Sequence, residues 1–353
     1  MRLASPILKR FLYPVLASTG QLRRHAGRGP AIVTYHGVMP AGYRVHDRNA
    51  DWDLVRPESL RRQLKLLKDH YQVITPEQFR MWCESENELP PYAVLITCDD
   101  GMQSAFTEMM PILQDMDISG LFFVTEQALS DTRSMLWHEE LHLMLLAAPT
   151  SVSLHLPELE LDERATGLLE KRDLWWKLIH EFSQFDIDRR YELLEEVRCQ
   201  IQVDSMWKSE YLDEPTRQSR FFTLNLNQTR AMAAQGMSIG AHSLSHPMLS
   251  KMPSDLAWKE IAEGRRRIEQ VLQRPVWALA YPFGDVGSVG PREMEMAERA
   301  GYGCAFVNEG GGFGAPSCTF AMPRVHVTGD MGLSEFEAHL SGLHRTLRQQ
   351  FHR

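Results

Sequence analysis

AVLITCDDG, Ala93 to Gly101, is an apolar, partly β-branched run that stops abruptly at two adjacent carboxylates and a glycine. Val94 to Thr97 reads as a strand buried on both faces, because the run is short, continuous and bounded by Pro90-Pro91 and Gly101. Asp99 and Asp100 then stand at its carboxyl end, where parallel α/β architectures collect catalytic groups on variable loops above a rigid sheet. Neighbouring side chains at a strand end point in different directions, so one carboxylate can hold a cation while the other stays free as a base. An Asp-Asp-Gly is equally an ordinary turn, and the rest of the chain has to decide between the two.

Outward from this strand, short apolar runs alternate with helical patterns, the mark of repeated βα units and a parallel sheet. Strands are expected at Ala31–Tyr35, Gly120–Thr125, Met237–Ala241, Val276–Tyr281, Tyr302–Val307 and Arg324–Val327. Helices are expected at Pro57–His70, with Leu60, Leu64 and Leu67 on one face, at 103–116, Gln228–Gln235, Ser254–Gln273, Pro291–Ala300 and Ser334–Phe351. About seven units suit a closed or slightly open barrel better than a flat doubly wound sheet. Leu136 to Arg220 breaks the rhythm: it shows no good strand and is dense in charge and Trp, with helical patterns at 136–148, 164–182 and 189–201. It reads as a helical insertion on a barrel loop, at about 136–220, where growth is tolerated. The domain layout expected is a lead-in over 1–30, a barrel over 31–345 and a tail over 346–353.

The 353 residues suffice for a large core, and 43% hydrophobic with 24% charged residues is ordinary for a globular enzyme. A formal charge of −8 argues against nucleic acid as a partner. Five scattered cysteines, without a CxxC pair, make neither a disulfide framework nor a zinc knuckle. The basic N-terminus holds a short apolar segment, Phe11 to Ala17, broken by Pro14 and too short to span a bilayer. It reads as a lead-in to the first strand; peripheral membrane contact through residues 1–28 is the other expectation. The unpaired cysteines and the lack of a clear cleavage site tilt the location toward the cytoplasm.

Three further strand ends carry chemistry. Gly240-Ala-His-Ser-Leu-Ser-His-Pro247 sets His242 and His246 at i and i+4, close enough to share one ion. With Asp100 they make a two-His, one-carboxylate site with open positions, the pattern of a catalytic metal. Ala280-Tyr281-Pro282-Phe283-Gly284 is a strand running into a tight turn that can aim a backbone N–H at an oxyanion. Pro323-Arg324-Val325-His326 is the last strand, and His36 in TYHGV ends the first.

ITCDDG, HSLSHP, YPFG and PRVHV, in this order, resemble the polysaccharide deacetylase family, metal-dependent carbohydrate esterases related to chitooligosaccharide deacetylases. The resemblance covers residues 31–345 apart from the insertion. It implies a distorted (β/α) barrel that removes N-acetyl groups from an acetylated polysaccharide, glycan or lipid-linked oligosaccharide. Carried over by motif, Asp99 is the general base, Asp100, His242 and His246 hold one divalent ion, and the Phe283 N–H is the oxyanion donor. Two imidazoles and a carboxylate suit Zn²⁺, and also Co²⁺, Ni²⁺ or Fe²⁺. His326 is the expected proton donor to the amine; His36, Ser243, Tyr281 and Pro282 are expected to contact substrate or support the site. Many members carry an arginine two residues before the Pro of the Pro-Tyr-Gly turn, paired with the base; here that position is Ala280. Arg324 is expected to supply the charge from a neighbouring strand.

A second motif competes. Trp137-His138-Glu139-Glu140-Leu141-His142 contains a literal His-Glu-x-x-His, the pattern of zinc peptidases. No extended pattern follows it, and Pro149 and Pro157 interrupt the route to an acidic third ligand. A barrel that binds glycan without cleaving it, prompted by the missing arginine, is the reading from outside enzymology.

Overall fold

The computed structural model describes residues 8–24, 27, 29–45, 51–85, 87–132, 134–148, 151–209, 213–285, 287–314, 316 and 318–351. Pro149, parts of the 1–30 segment (1–7, 25, 26 and 28) and the last two residues of the 346–353 tail lie outside them.

The strands are β1 (Ala31–Tyr35), β2 (Gln72–Val73), β3 (Ala93–Cys98), β4 (Leu121–Val124), β5 (Val152–Leu156), β6 (Leu161–Ala165), β7 (Ser238–Ala241), β8 (Ala278–Ala280), β9 (Cys304–Val307), β10 (Met322–Pro323) and β11 (Val325–His326). Eight of them run in the order β10-β9-β8-β7-β4-β3-β1-β11, all parallel, with β2 pairing β3 from outside that path. Every residue of β1 and β3 is buried, which is what a parallel sheet covered on both faces requires of a continuous apolar run. The expected last strand is divided at Arg324. Met322 and Pro323 pair with Phe306 and Val307 of β9, whereas Val325 and His326 pair with Val33 and Thr34 of β1. One five-residue stretch thus closes the barrel, an eight-stranded, nearly closed form of the distorted barrel expected with about seven strands.

The expected helices occur in order, joined by Pro76–Cys83 and Pro215–Phe221, which were not expected, and two of the expected helices differ in form. The 103–116 helix begins as a π-helical turn, Ala105–Met109, and continues as α-helix over Met110–Asp115. The C-terminal helix is divided into Leu333–Leu340 and Leu343–Phe351 at Gly342, whose φ is +80°.

The insertion corrects one expectation: it contains strands. β5 and β6 form an antiparallel hairpin with five residue pairs. Its β5 sequence, VSLHL, alternates buried and exposed, the period-2 pattern of a half-buried strand, which the surrounding helical charge patterns obscured. The hairpin packs with the helices Trp137–Ala147, Leu168–Phe182 and Ile187–Gln200 on a core of their own, to which the barrel loop contributes Met248.

At the N-terminus, Tyr13–Ser18 and Gln21–Arg24 are short helices that bury Tyr13 and Leu22 against the C-terminal helices. Pro14 does not break the helical course: a π-helical turn, Leu8–Leu12, leads into Tyr13–Ser18, and Pro14 falls at the start of the α-helical part. Among the described residues no helix is long and apolar enough to cross a membrane.

Candidate active site

The carboxyl ends of β1, β3, β7, β8, β9 and β11 converge on one cavity of about 620 Å³. The chain leaves β3 through two successive left-handed residues, Asp100 at φ +69° and Gly101 at φ +61°. A side chain on Gly101 would also crowd Val124, so glycine is required there on both counts. This turn swings the two carboxylates apart, as their adjacency in sequence suggested.

Asp100 faces β7. Its Oδ1 lies 3.2 Å from Nε2 of His242 and 3.2 Å from Nε2 of His246. All three residues are buried, and their ligand atoms lie within 4.8 Å of one another. His242 Nδ1 donates to the Ala280 carbonyl at 2.7 Å, which fixes the ring with Nε2 turned toward Asp100. Burial pushes the Asp100 carboxyl up, but hydrogen bonds from the two imidazoles overcome it and hold Asp100 well below the usual carboxylate range. A carboxylate whose ionised form is favoured, beside two imidazole nitrogens, is a donor set that fits a divalent ion.

Asp99 faces the other way. Arg324 meets it with both ends of its guanidinium, Nη1 to Oδ1 at 2.7 Å and Nη2 to Oδ2 at 2.5 Å, and both side chains are fully buried. The fork is held between the rings of Phe123 and Phe306 and reaches Asn308 Oδ1 at 2.5 Å. Burial raises Asp99, but the charges of Arg324, His242 and His36 outweigh it and its pKa is lowered. Arg324 thus stands where the motif arginine is missing at Ala280.

The other expected residues separate into those at the cavity and those away from it. His36 lines it, with Nε2 3.9 Å from Asp99 Oδ2. The His326 ring is 4.5 Å from that of His36. Phe283, at φ +63°, packs its ring on His246 at 4.9 Å, and among the described residues nothing accepts from its backbone N–H. Ser243 supports the site: its Oγ accepts from the His246 N–H at 3.0 Å. Tyr281 and Pro282 do not reach the cavity. Tyr281 is fully buried and its hydroxyl donates to the Phe320 carbonyl, because the side chain falls on the core side of the strand end.

The His-Glu-x-x-His helix folds over the same cavity without assembling a second centre. The His138 ring stacks on His246 at 4.4 Å, while that of His142 packs on Trp175 at 5.2 Å. Glu139 lies 3.1 Å from buried Arg220, and its carboxyl is raised to about 7 chiefly by burial. Among the described residues, the groups able to share an ion are Asp100, His242 and His246, and His36, Asp53 and His326. His138 and His142 are in neither.

The loop that carries His242 and His246 is braced by residues that the sequence reading did not single out. Glu260 Oε2 accepts from the backbone N–H of Leu244 at 3.0 Å and of Ser245 at 2.8 Å. Arg190, from the insertion and fully buried, donates to the Ser245 carbonyl at 3.0 Å, to Ser245 Oγ at 2.6 Å and to Glu260 Oε1 at 3.2 Å. Trp137 Nε1 donates to the His246 carbonyl at 2.9 Å. The Ser254–Leu272 helix approaches this loop at Gly264, where a Cβ would lie 2.8 Å from the Ser243 backbone. Asn308 had a signal in the sequence, since it directly follows the expected β9 strand; Arg190 had none, being one of many charges on a helix.

Fold and site together define a polysaccharide deacetylase-like barrel, and comparison with known proteins points to the same class. Residues 207–304 match the family model for polysaccharide deacetylase. The chain is 39% identical over 80 residues to the poly-β-1,6-N-acetyl-D-glucosamine N-deacetylase of Escherichia coli K12, an overlap of 22% of this chain and 12% of that protein. It is 25% identical over 120 residues to YxkH of Bacillus subtilis, named as a polysaccharide deacetylase, covering 34% of this chain and 42% of the other. The chain therefore spans less than half the length of these curated relatives. Among solved structures it is similar in fold to the Streptococcus pyogenes deacetylase PplD in complex with acetate, at TM-score 0.54 and 17% identity over 88% of this chain and 97% of the other. IcaB from Ammonifex degensii is similar at TM-score 0.55 and 16% identity over 90% and 98%. The family resemblance read from the motifs is borne out.

Proposed function

We propose that this chain is a metal-dependent hydrolase that removes N-acetyl groups from amino sugars of an acetylated polysaccharide or glycan. The observation that carries the reading is the bidentate Arg324–Asp99 pair set beside the Asp100–His242–His246 donor set. A divalent ion held by these three side chains, Zn²⁺ by the chemistry of the donors, would polarise the acetyl carbonyl and acidify a water.

The chain's own groups do the rest. Asp99, kept ionised and oriented by Arg324, takes the proton from the attacking water as oxygen bonds to the acetyl carbon. The Phe283 N–H, held in its left-handed turn, donates to the oxyanion that forms. The C–N bond then breaks, and the amine leaves with a proton. His36 is the donor we assign, in place of His326. Burial, and next the neighbouring His36, push the His326 ring down to about 3, so it is neutral at working pH and carries no proton to give. His36 is the imidazole beside Asp99. Replacing His36 with alanine is expected to lower release of acetate from an N-acetyl sugar by about a hundredfold or more. The same variant should retain most hydrolysis of an aryl acetate, whose phenolate leaves unprotonated; equal losses on both substrates would remove His36 from this role.

Support also comes from the E. coli relative's name, which states N-deacetylation of an amino-sugar polymer. The glycan-binding reading loses its motive, since Arg324 supplies the charge whose absence from the motif prompted it. Metal content and acetate release, measured together on purified protein, test the function. Wild type and His138→Ala are expected to hold one ion each, and His242→Ala none, with release of acetate only from wild type and, reduced, from His138→Ala. An ion lost in His138→Ala and kept in His242→Ala would replace this reading with the peptidase.

A further inference from the structure

Two tryptophans stand in water at the cavity: Trp52 is 51% exposed and Trp176 41%. An indole left in solvent forgoes the burial that usually holds it, so each has to be fixed by what lies beneath. Trp52 rests on His326 with ring centroids 5.1 Å apart; His326 in turn touches His36, which faces Asp99. Trp176 rests on Trp175 at 4.8 Å and on Phe283 at 6.1 Å; Phe283 touches His246, which faces Asp100. Two files of rings therefore leave the carboxylate pair from different sides, and each ends in an exposed indole. The carboxylates of Asp173, on the same helix as Trp176, and of Asp53, next in sequence to Trp52, line the same cavity.

A flat, exposed indole in a cavity that also holds carboxylate acceptors matches one face of a pyranose, where axial C–H groups make an apolar patch ringed by hydroxyls. On the deacetylase reading above, on which this inference rests, we propose that Trp52 and Trp176 bind the sugars on either side of the acetyl-bearing unit. The enzyme then acts on internal residues of an extended amino-sugar polymer, and a single sugar is a poor substrate. The insertion, which carries Trp176, is the source of half of this length selectivity.

The experiment is a length series. β-1,6- and β-1,4-linked N-acetylglucosamine oligomers, from monomer to hexamer, are offered to wild type, Trp52→Ala, Trp176→Ala, Trp176→Phe and Leu169→Ala. Acetate release is read on all five proteins, and affinity by calorimetry in the turnover-impaired Asp99→Asn background. Wild-type kcat/KM and affinity are expected to rise with length for one of the two linkages. Each alanine variant should lose about tenfold on the long oligomers, the size of one stacked ring, and flatten the dependence on length. Trp176→Phe should recover part of it, and Leu169→Ala, exposed on the same helix, should match wild type. Acetate release independent of length, or a length dependence that survives in both alanine variants, overturns the inference and leaves the deacetylase standing. Length-dependent, tryptophan-dependent affinity without any acetate release supports the inference and overturns the deacetylase. No affinity at any length overturns the inference as well.

Discussion

Arg324→Ala is expected to cut turnover by at least about a hundredfold, the size of a lost general base, while the protein keeps its ion. The variant leaves Asp99 in a fully buried position without the fork that neutralises it, and an unpaired buried charge of this kind costs about 3–5 kcal/mol. Asp99 escapes that cost by holding a proton, and a protonated carboxyl cannot act as base. The sign in pH follows. In the wild type the Asp99 pKa is lowered, so its contribution to stability is present above the range where an unfolded carboxyl titrates and fades as pH falls through the folded value. Without Arg324 burial raises the pKa above the unfolded value, and the contribution is present at low pH and lost as pH rises. The stability gap between wild type and variant should therefore narrow in acid, and the acid limb of the variant's rate profile should move to higher pH. Arg324→Lys should rescue little, because a single ammonium cannot meet both carboxylate oxygens. Denaturant unfolding across pH, kcat against pH and bound metal check the three parts; wild-type kcat in Arg324→Ala would take Arg324 out of the site.

Arg190→Ala is expected to weaken metal binding by about 10–100-fold, although Arg190 touches no ligand atom. The guanidinium ties the insertion to the Ser245 carbonyl, Ser245 Oγ and Glu260, and Glu260 holds the Leu244 and Ser245 amides. Ser243 and His246 of this loop are at φ +60° and +59°, in left-handed conformations that persist only when the surroundings impose them. Removing the arginine leaves Glu260 buried without its cationic partner, at about 3–5 kcal/mol of stability. The loop then gains freedom to let His246 drift from Asp100. Chelator competition and thermal unfolding separate two outcomes: loss of both affinity and stability makes the insertion a brace for the metal site, whereas loss of stability with unchanged affinity makes it a cover alone.

What could be read from the sequence was whatever the barrel repeats. AVLITCDD, SIGAH and CAFVN each run a buried strand straight into a functional or supporting side chain, so period and position sufficed for β3, β7 and β9. Pro57–His70 matched to the residue, because its apolar stripe and its Pro start are both local signals. The β5–β6 hairpin was missed, although VSLHL alternates plainly, since five residues are outweighed by the helical charge patterns on either side. Arg190 is illegible for another reason: a buried arginine and an exposed one look alike until the fold brings a loop from 55 residues away. Tyr281 shows the opposite failure. The YPFG motif points to Tyr281 as a site residue, whereas tertiary packing directs its hydroxyl to the Phe320 carbonyl.

The division of the last strand at Arg324 has a consequence for how the candidate site comes into being. Asp100, His242 and His246 all precede Arg324 in the chain, so a nascent polypeptide can carry the complete donor set before Arg324 is made. The partner of the base arrives 225 residues after Asp99, in the stretch that seals β9 to β1. Loop-closure entropy makes such a long-range contact a late event. On the proposed function, cation capture would precede the poising of Asp99, and hydrolysis would wait until the seam has closed.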